Sequence, residues 1–179
     1  MDETKEELNT IPTIDYQFPS SCHEQFIEHI QGKLPAPSPT WFYKRELYDR
    51  LGGCDEHYRL FDDYPFAFRM LESGEHFSYM PQVTVLYRVT NISVSNSKQS
   101  TGKQKQPYFE SRLAAYYELQ VPALKKNKLW GRLIYNNLFF LFYKKKIYSN
   151  DDSFSRYFYG ALCLMLNLLL PNKKQKKYF

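Results

Sequence analysis

Cysteine is sparse and odd in number. Cys22, Cys54 and Cys163 lie far apart along a chain of 179 residues. That spacing rules out a dense disulfide framework and any Cys-x-x-Cys metal site. The four histidines, His23, His29, His57 and His76, are equally scattered and form no zinc motif. A reducing, cytosolic setting is the default for such a chain. The opening Met1-Asp2-Glu3-Thr4 lacks the basic-then-apolar run of a secretory signal. Crossing a bilayer takes roughly 20 mostly apolar residues. The apolar stretch at 129–143 is broken by Arg132, Asn136 and Asn137, and the shorter one at 158–170 by Asn167. No helix-turn-helix or zinc-finger pattern is present, so nucleic acid is not the expected partner of the basic residues.

Aromatic residues are abundant: 16 Tyr and 14 Phe bring the aromatic share to 18% and the hydrophobic share to 43%, too apolar for a disordered chain. The length suits one domain with a core of its own. Charge is divided along the chain. Residues 1–97 hold 8 Lys and Arg against 15 Asp and Glu, a balance of −7, and residues 98–179 hold 16 against 4, a balance of +12. The basic part brackets its apolar helices with Lys125, Lys126 and Lys128, then Lys144-Lys145-Lys146, then the tail at 173–177. Two readings of this pattern stand side by side. The lysines are either solvated rims of helices packed on the domain, or the ring of charge that an anionic membrane face attracts.

The most informative stretch runs from Leu60 to Gly74. Asp62 and Asp63 stand at the start of a short apolar helix, Pro65 falls in its first turn and Gly74 suits its left-handed C-terminal cap. In the simplest reading Asp63, and Asp62 with it, caps the helix. In the sharper one, one carboxylate caps while its neighbour projects into a cleft as a general base. Trp41, after Pro35, Pro37 and Pro39, is either a core residue or a platform on which a sugar ring stacks.

Around this helix the order of features is Gly52-Gly53-Cys54-Asp55-Glu56, then Asp62-Asp63, the helix with Arg69, Gly74, an alternating segment, and Tyr87-Arg88 followed by Ser93 and Ser95. Over residues 35–95 this resembles the acceptor-binding half of the family 2 glycosyltransferases, enzymes of the GT-A fold. The resemblance implies that Asp63 is the base that deprotonates an acceptor hydroxyl. It implies that Asp62 supports the acceptor site, with Arg69 on the helix that follows, and that Tyr87 and Arg88 lie near the donor diphosphate; Trp41 joins Asp62 and Arg69 as an acceptor-binding candidate through the stacking reading above. Where this family often has a metal- or diphosphate-binding His, the chain has Thr90. It also has no Asp-x-Asp, and no run of strands and helices before Pro35 in which a nucleotide site could be built. No metal ligands are therefore expected here, and Mg or Mn belongs only with a complete donor half. The chain reads as a glycosyltransferase fragment of glycan biosynthesis that needs a separate donor-half chain for activity. The alternative is a non-catalytic membrane-surface or protein-interaction module derived from such an enzyme. The partners implied are a nucleotide-sugar and a glycan or lipid-linked acceptor. The location implied is cytoplasmic, with attachment to the inner face of the cell membrane as the second option.

The expected fold class is α+β. Residues 1–97 form a partial GT-A domain with a small mixed sheet, residues 98–106 a polar loop or lid, and residues 107–179 a basic helical region. Helices are expected at 22–30, 44–51, 107–120, 125–146 and 154–170. Strands are expected at 41–43 and at 76–89, where Phe77, Tyr79, Val83, Val85 and Tyr87 share one parity, and these two should pair.

Overall fold

The structure is a computed structural model, and it describes residues 17–82, 84–85 and 102–148. Tyr87, Arg88, Thr90 and the helix expected at 154–170 lie outside the described residues.

The first helix, α1 (Cys22–Ile30), begins where Ser21 Oγ accepts the amide hydrogen of Glu24 at 3.5 Å. A 3₁₀ turn follows at Ser38–Thr40 within the proline-rich approach, then α2 (Arg45–Arg50), which ends at Gly52 and Gly53 with φ of +78° and +69°. A second 3₁₀ turn at Glu56–Tyr58 leads to α3 (Asp63–Glu72). Gly74 closes α3 with φ +93°, while Glu75 N–H reaches back to the Met70 carbonyl at 3.2 Å. The remaining elements are α4 (Gly102–Ala115), a π turn at Tyr116–Gln120, α5 (Val121–Lys126) and α6 (Trp130–Tyr148). Thus α4 starts inside the expected polar loop, with Pro107 in the helix rather than at its beginning.

α3 is the centre of the molecule. Pro65, Phe66, Ala67, Phe68, Met70 and Leu71 are all buried, so the helix is covered on nearly every side. α1 packs on one side, where Phe26 meets Phe68 edge-on at 5.1 Å and His29 stacks on Tyr64 at 4.2 Å. On the other side Phe66 meets Tyr43 and Tyr48 at 5.2 and 5.5 Å. The main core joins Phe26, Ile30, Phe68, Met70 and Leu71 to Ala123, Leu124 and Leu133, so it draws on both sides of the boundary read at 98–106. A smaller core joins Phe109, Tyr116 and Phe140. Each large apolar side chain buried this way contributes roughly 1.5–3 kcal/mol.

The expected α+β class is overturned: the described residues contain helices and no strand, so there is no mixed sheet among them. Residues 41–43 and 75–81 form no regular element and pair with no ladder. The physical reason is visible at Phe77. Its N–H donates to Gln25 Oε1 at 2.8 Å, and its carbonyl accepts from Gln25 Nε2 at 2.9 Å. A buried side-chain amide of α1 thus takes the two hydrogen bonds that a neighbouring strand would have made. The same Nε2 also donates to the Pro19 carbonyl at 2.7 Å. No helix among the described residues is long and apolar enough to cross a membrane.

Candidate functional site

The segments before and after α2 fold against the start of α3 and leave an open cleft of about 700 Å³ between them. Trp41, Asp62 and Asp63 all line it, together with Ser38, Tyr43 and Phe66. Cys54, Arg59, Leu60 and Phe61 complete the rim, with Tyr108 from α4.

Each carboxylate is held differently. Asp63 Oδ1 accepts the Tyr64 amide hydrogen at 2.7 Å, which ties it to the first turn of α3. Its Oδ2 accepts the Ser38 hydroxyl at 2.9 Å, across 25 residues of chain. Asp62 occupies the helix boundary and makes no capping bond with its side chain. Its carboxylate acts electrostatically on the nearby Cys54 thiol. The pair is therefore held unequally: Asp63 is fixed to the helix end and the Ser38 turn, Asp62 makes no capping bond, and both line the cleft. Partial burial pushes the Cys54 thiol up from its ordinary pKa; the Tyr48 hydroxyl works against that shift and the Asp62 carboxylate with it.

The aromatic floor is fixed from below. Trp41 Nε1 donates to the Ala36 carbonyl at 3.1 Å, and its ring leans on Phe77 at 5.3 Å and Phe66 at 6.4 Å. Tyr43 stacks on Tyr48 at 5.8 Å with planes 8° apart. Tyr43 is 46% exposed and Phe42, 71% exposed, stands beside it at the mouth, so the wall presents ring surface to solvent. The hydroxyl of Tyr43 is pushed up, first by burial and then by Cys54 and Tyr48.

Arg69 does not reach this cleft. Its guanidinium donates to the Gly53 carbonyl through Nη2, and Nη1 lies 4.0 Å from the Asp55 carboxylate. Its buried Nε has no hydrogen-bond partner among the described residues. Arg69 thus ties the glycine turn to α3. Tyr87 and Arg88 lie outside the described residues. Among the described residues no three His, Cys, Asp or Glu side chains gather to hold a metal ion.

Sequence reasoning missed Ser38, Tyr43, Cys54, Arg59, Phe66 and Tyr108. Ser38 carried a signal, since a Ser between Pro37 and Pro39 is held in a rigid turn that aims its hydroxyl. Tyr108 carried none, because it belongs to the far side of the expected boundary.

No family model matches the chain, and no curated protein or solved structure matches it either.

Proposed function

We propose that the chain binds the hydroxyl-bearing end of a glycan acceptor in the Trp41–Asp62–Asp63 cleft, as the acceptor half of a family 2-like glycosyltransferase. The observation that carries this reading is the convergence of Trp41 with the acidic pair in one open cleft. Ring faces suit the C–H face of a sugar, and carboxylates accept its hydroxyl hydrogens. Asp62 hydrogen-bonds the acceptor ring. Asp63 is the base, and the acceptor hydroxyl takes the place of the Ser38 hydroxyl on Oδ2. With a nucleotide-sugar held by a donor-half partner, the acceptor O–H bond breaks and its proton passes to Asp63. The freed oxygen bonds to the anomeric carbon from the face opposite the diphosphate. The bond to the diphosphate breaks with its electron pair, and the configuration inverts.

The test is saturation-transfer NMR on the full chain with a panel of neutral disaccharides. At least one sugar is expected to receive saturation, and Trp41→Ala is expected to remove it while thermal unfolding remains cooperative. No transfer to any sugar overturns the reading. Asp63→Asn is expected to abolish sugar transfer in a reconstituted assay with the donor half. Transfer that survives this change removes Asp63 from the role of base.

A second reading has its own observation. On α6, Trp130, Ile134 and Leu141 are 54%, 53% and 49% exposed and fall on one helical face. Exposed Lys125, Lys126, Lys128 and Lys144 flank this stripe. An apolar stripe edged by lysines suits an anionic membrane surface, at about 1 kcal/mol per basic residue. Vesicles with anionic lipid should blue-shift Trp130 fluorescence, and zwitterionic vesicles should not. No shift with either composition sinks this reading.

A further inference from the structure

Beside the first cleft lies a second, of about 610 Å³. His57, Arg59 and Leu60 form one wall, and Pro107, Glu110 and Ser111 of α4 the other. Arg59 and Leu60 line both clefts. On the opposite bank Pro107 belongs to the second cleft and its neighbour Tyr108 to the first. The two hollows therefore adjoin at Arg59 and Leu60, with neighbouring residues of α4 on the opposite bank. Arg59 and Leu60 are both exposed, so the divide is low.

The pair of hollows is braced at both ends. Near the second cleft, Glu118 accepts from the Tyr58 hydroxyl at 2.9 Å and pairs with His57 Nε2 at 3.1 Å. At the first, the Phe61 ring meets Tyr108 edge-on at 5.7 Å, and the Arg112 guanidinium lies 5.9 Å from the Phe61 centroid. These contacts fix the two walls relative to each other, which is what a preformed binding groove requires.

We propose that the two clefts act as one groove for a linear, neutral oligosaccharide. Its reacting end ring sits against Trp41, Asp62 and Asp63, and the following rings cross the Arg59–Leu60 divide into the second cleft. Each cleft alone is of the size that houses a small ligand, so the pair is oversized for a single sugar. The second cleft repeats the chemistry a sugar needs: Leu60 and Pro107 offer apolar surface to C–H faces, and His57, Arg59, Glu110 and Ser111 offer polar atoms to hydroxyls. It carries both signs of charge, which gives a neutral chain no penalty and an acidic one no net attraction. This inference rests on the acceptor reading above and adds to it the length and course of the ligand.

The experiment is calorimetric titration of the full chain with linear neutral glycans from disaccharide to hexasaccharide, in α-linked and β-linked glucose series and a β-linked N-acetylglucosamine series. In the series that binds, affinity should rise by roughly tenfold between disaccharide and tetrasaccharide and then level off, as expected for two further rings held between them by stacking and hydrogen bonds. Ser111→Trp fills the second cleft and should erase that gain while leaving disaccharide affinity unchanged. Ala114→Arg, at another point of the same cleft, should do the same if the first variant folds poorly. Equal affinity for all lengths, or a gain that survives both filled variants, overturns the groove and leaves the acceptor site standing. No binding at any length overturns both.

Discussion

His29 makes the stability of this protein depend on pH in a direction that can be worked out in advance. The ring is 9% exposed, stacks on Tyr64 at 4.2 Å, and approaches the Tyr64 carbonyl through Nε2 at 3.2 Å. A carbonyl only accepts, so Nε2 carries the hydrogen in the neutral ring. Burial lowers the pKa from 6.5 to about 4, and the Tyr64 carbonyl opposes that shift more weakly. In the unfolded chain the imidazole gains its proton near its ordinary value, whereas in the fold it stays neutral until about 4. Between these values the unfolded state binds more protons, so stability falls as the pH falls through the window and levels off below it. The full gap corresponds to about 3 kcal/mol, and about 2 kcal/mol of it is already lost near pH 5. Against a total of roughly 5–15 kcal/mol for a domain, that is a large share. The assay is urea unfolding of the wild type and of His29→Gln near pH 8 and near pH 5. Gln keeps a donor for the Tyr64 carbonyl and does not titrate. Any fixed cost of the substitution cancels in the difference between the two pH values, as do the carboxylates common to both proteins. The wild type should lose about 2 kcal/mol more than the variant on acidification, or roughly 4–8 °C in Tm. Equal losses in the two proteins would show that His29 titrates normally in the fold and refute the reasoning.

Two further substitutions probe the fold around the site. Gly53→Ala should destabilise by about 2 kcal/mol or more, since φ is +69° and the new methyl would lie 2.9 Å from the Tyr48 ring. Gly52→Ala, at φ +78° with open space around it, should cost only about 1 kcal/mol, and urea midpoints will rank the two. Tyr64→Phe should raise stability by about 1 kcal/mol, because the Tyr64 hydroxyl is buried with no hydrogen-bond partner among the described residues. A fall in the urea midpoint of Tyr64→Phe would mean that the hydroxyl has a partner in solution.

What the sequence determined by itself was local. The helix bounds at 22–30 were legible because Ser21 caps that helix and its apolar residues recur at helical spacing. The helix after the acidic pair was legible because Asp63, Pro65 and Gly74 each have a conformational reason to stand where they do. The placement of two carboxylates at a helix start follows from the same few residues. What only the tertiary structure decided concerns partners far away in the chain. An alternating segment becomes a strand only if another backbone supplies its hydrogen bonds. At Phe77 they come from the Gln25 side chain, 52 residues away, and no sheet forms among the described residues. The anchoring of the acidic pair was also nonlocal, since Ser38 engages Asp63 across 25 residues of chain. The far bank of the groove comes from α4, which the charge division along the chain had set apart as another region. Capping and periodicity act over a few residues and can be read in order. Hydrogen-bond satisfaction and burial are settled among whichever groups the packed chain brings together, and sequence distance does not constrain that choice.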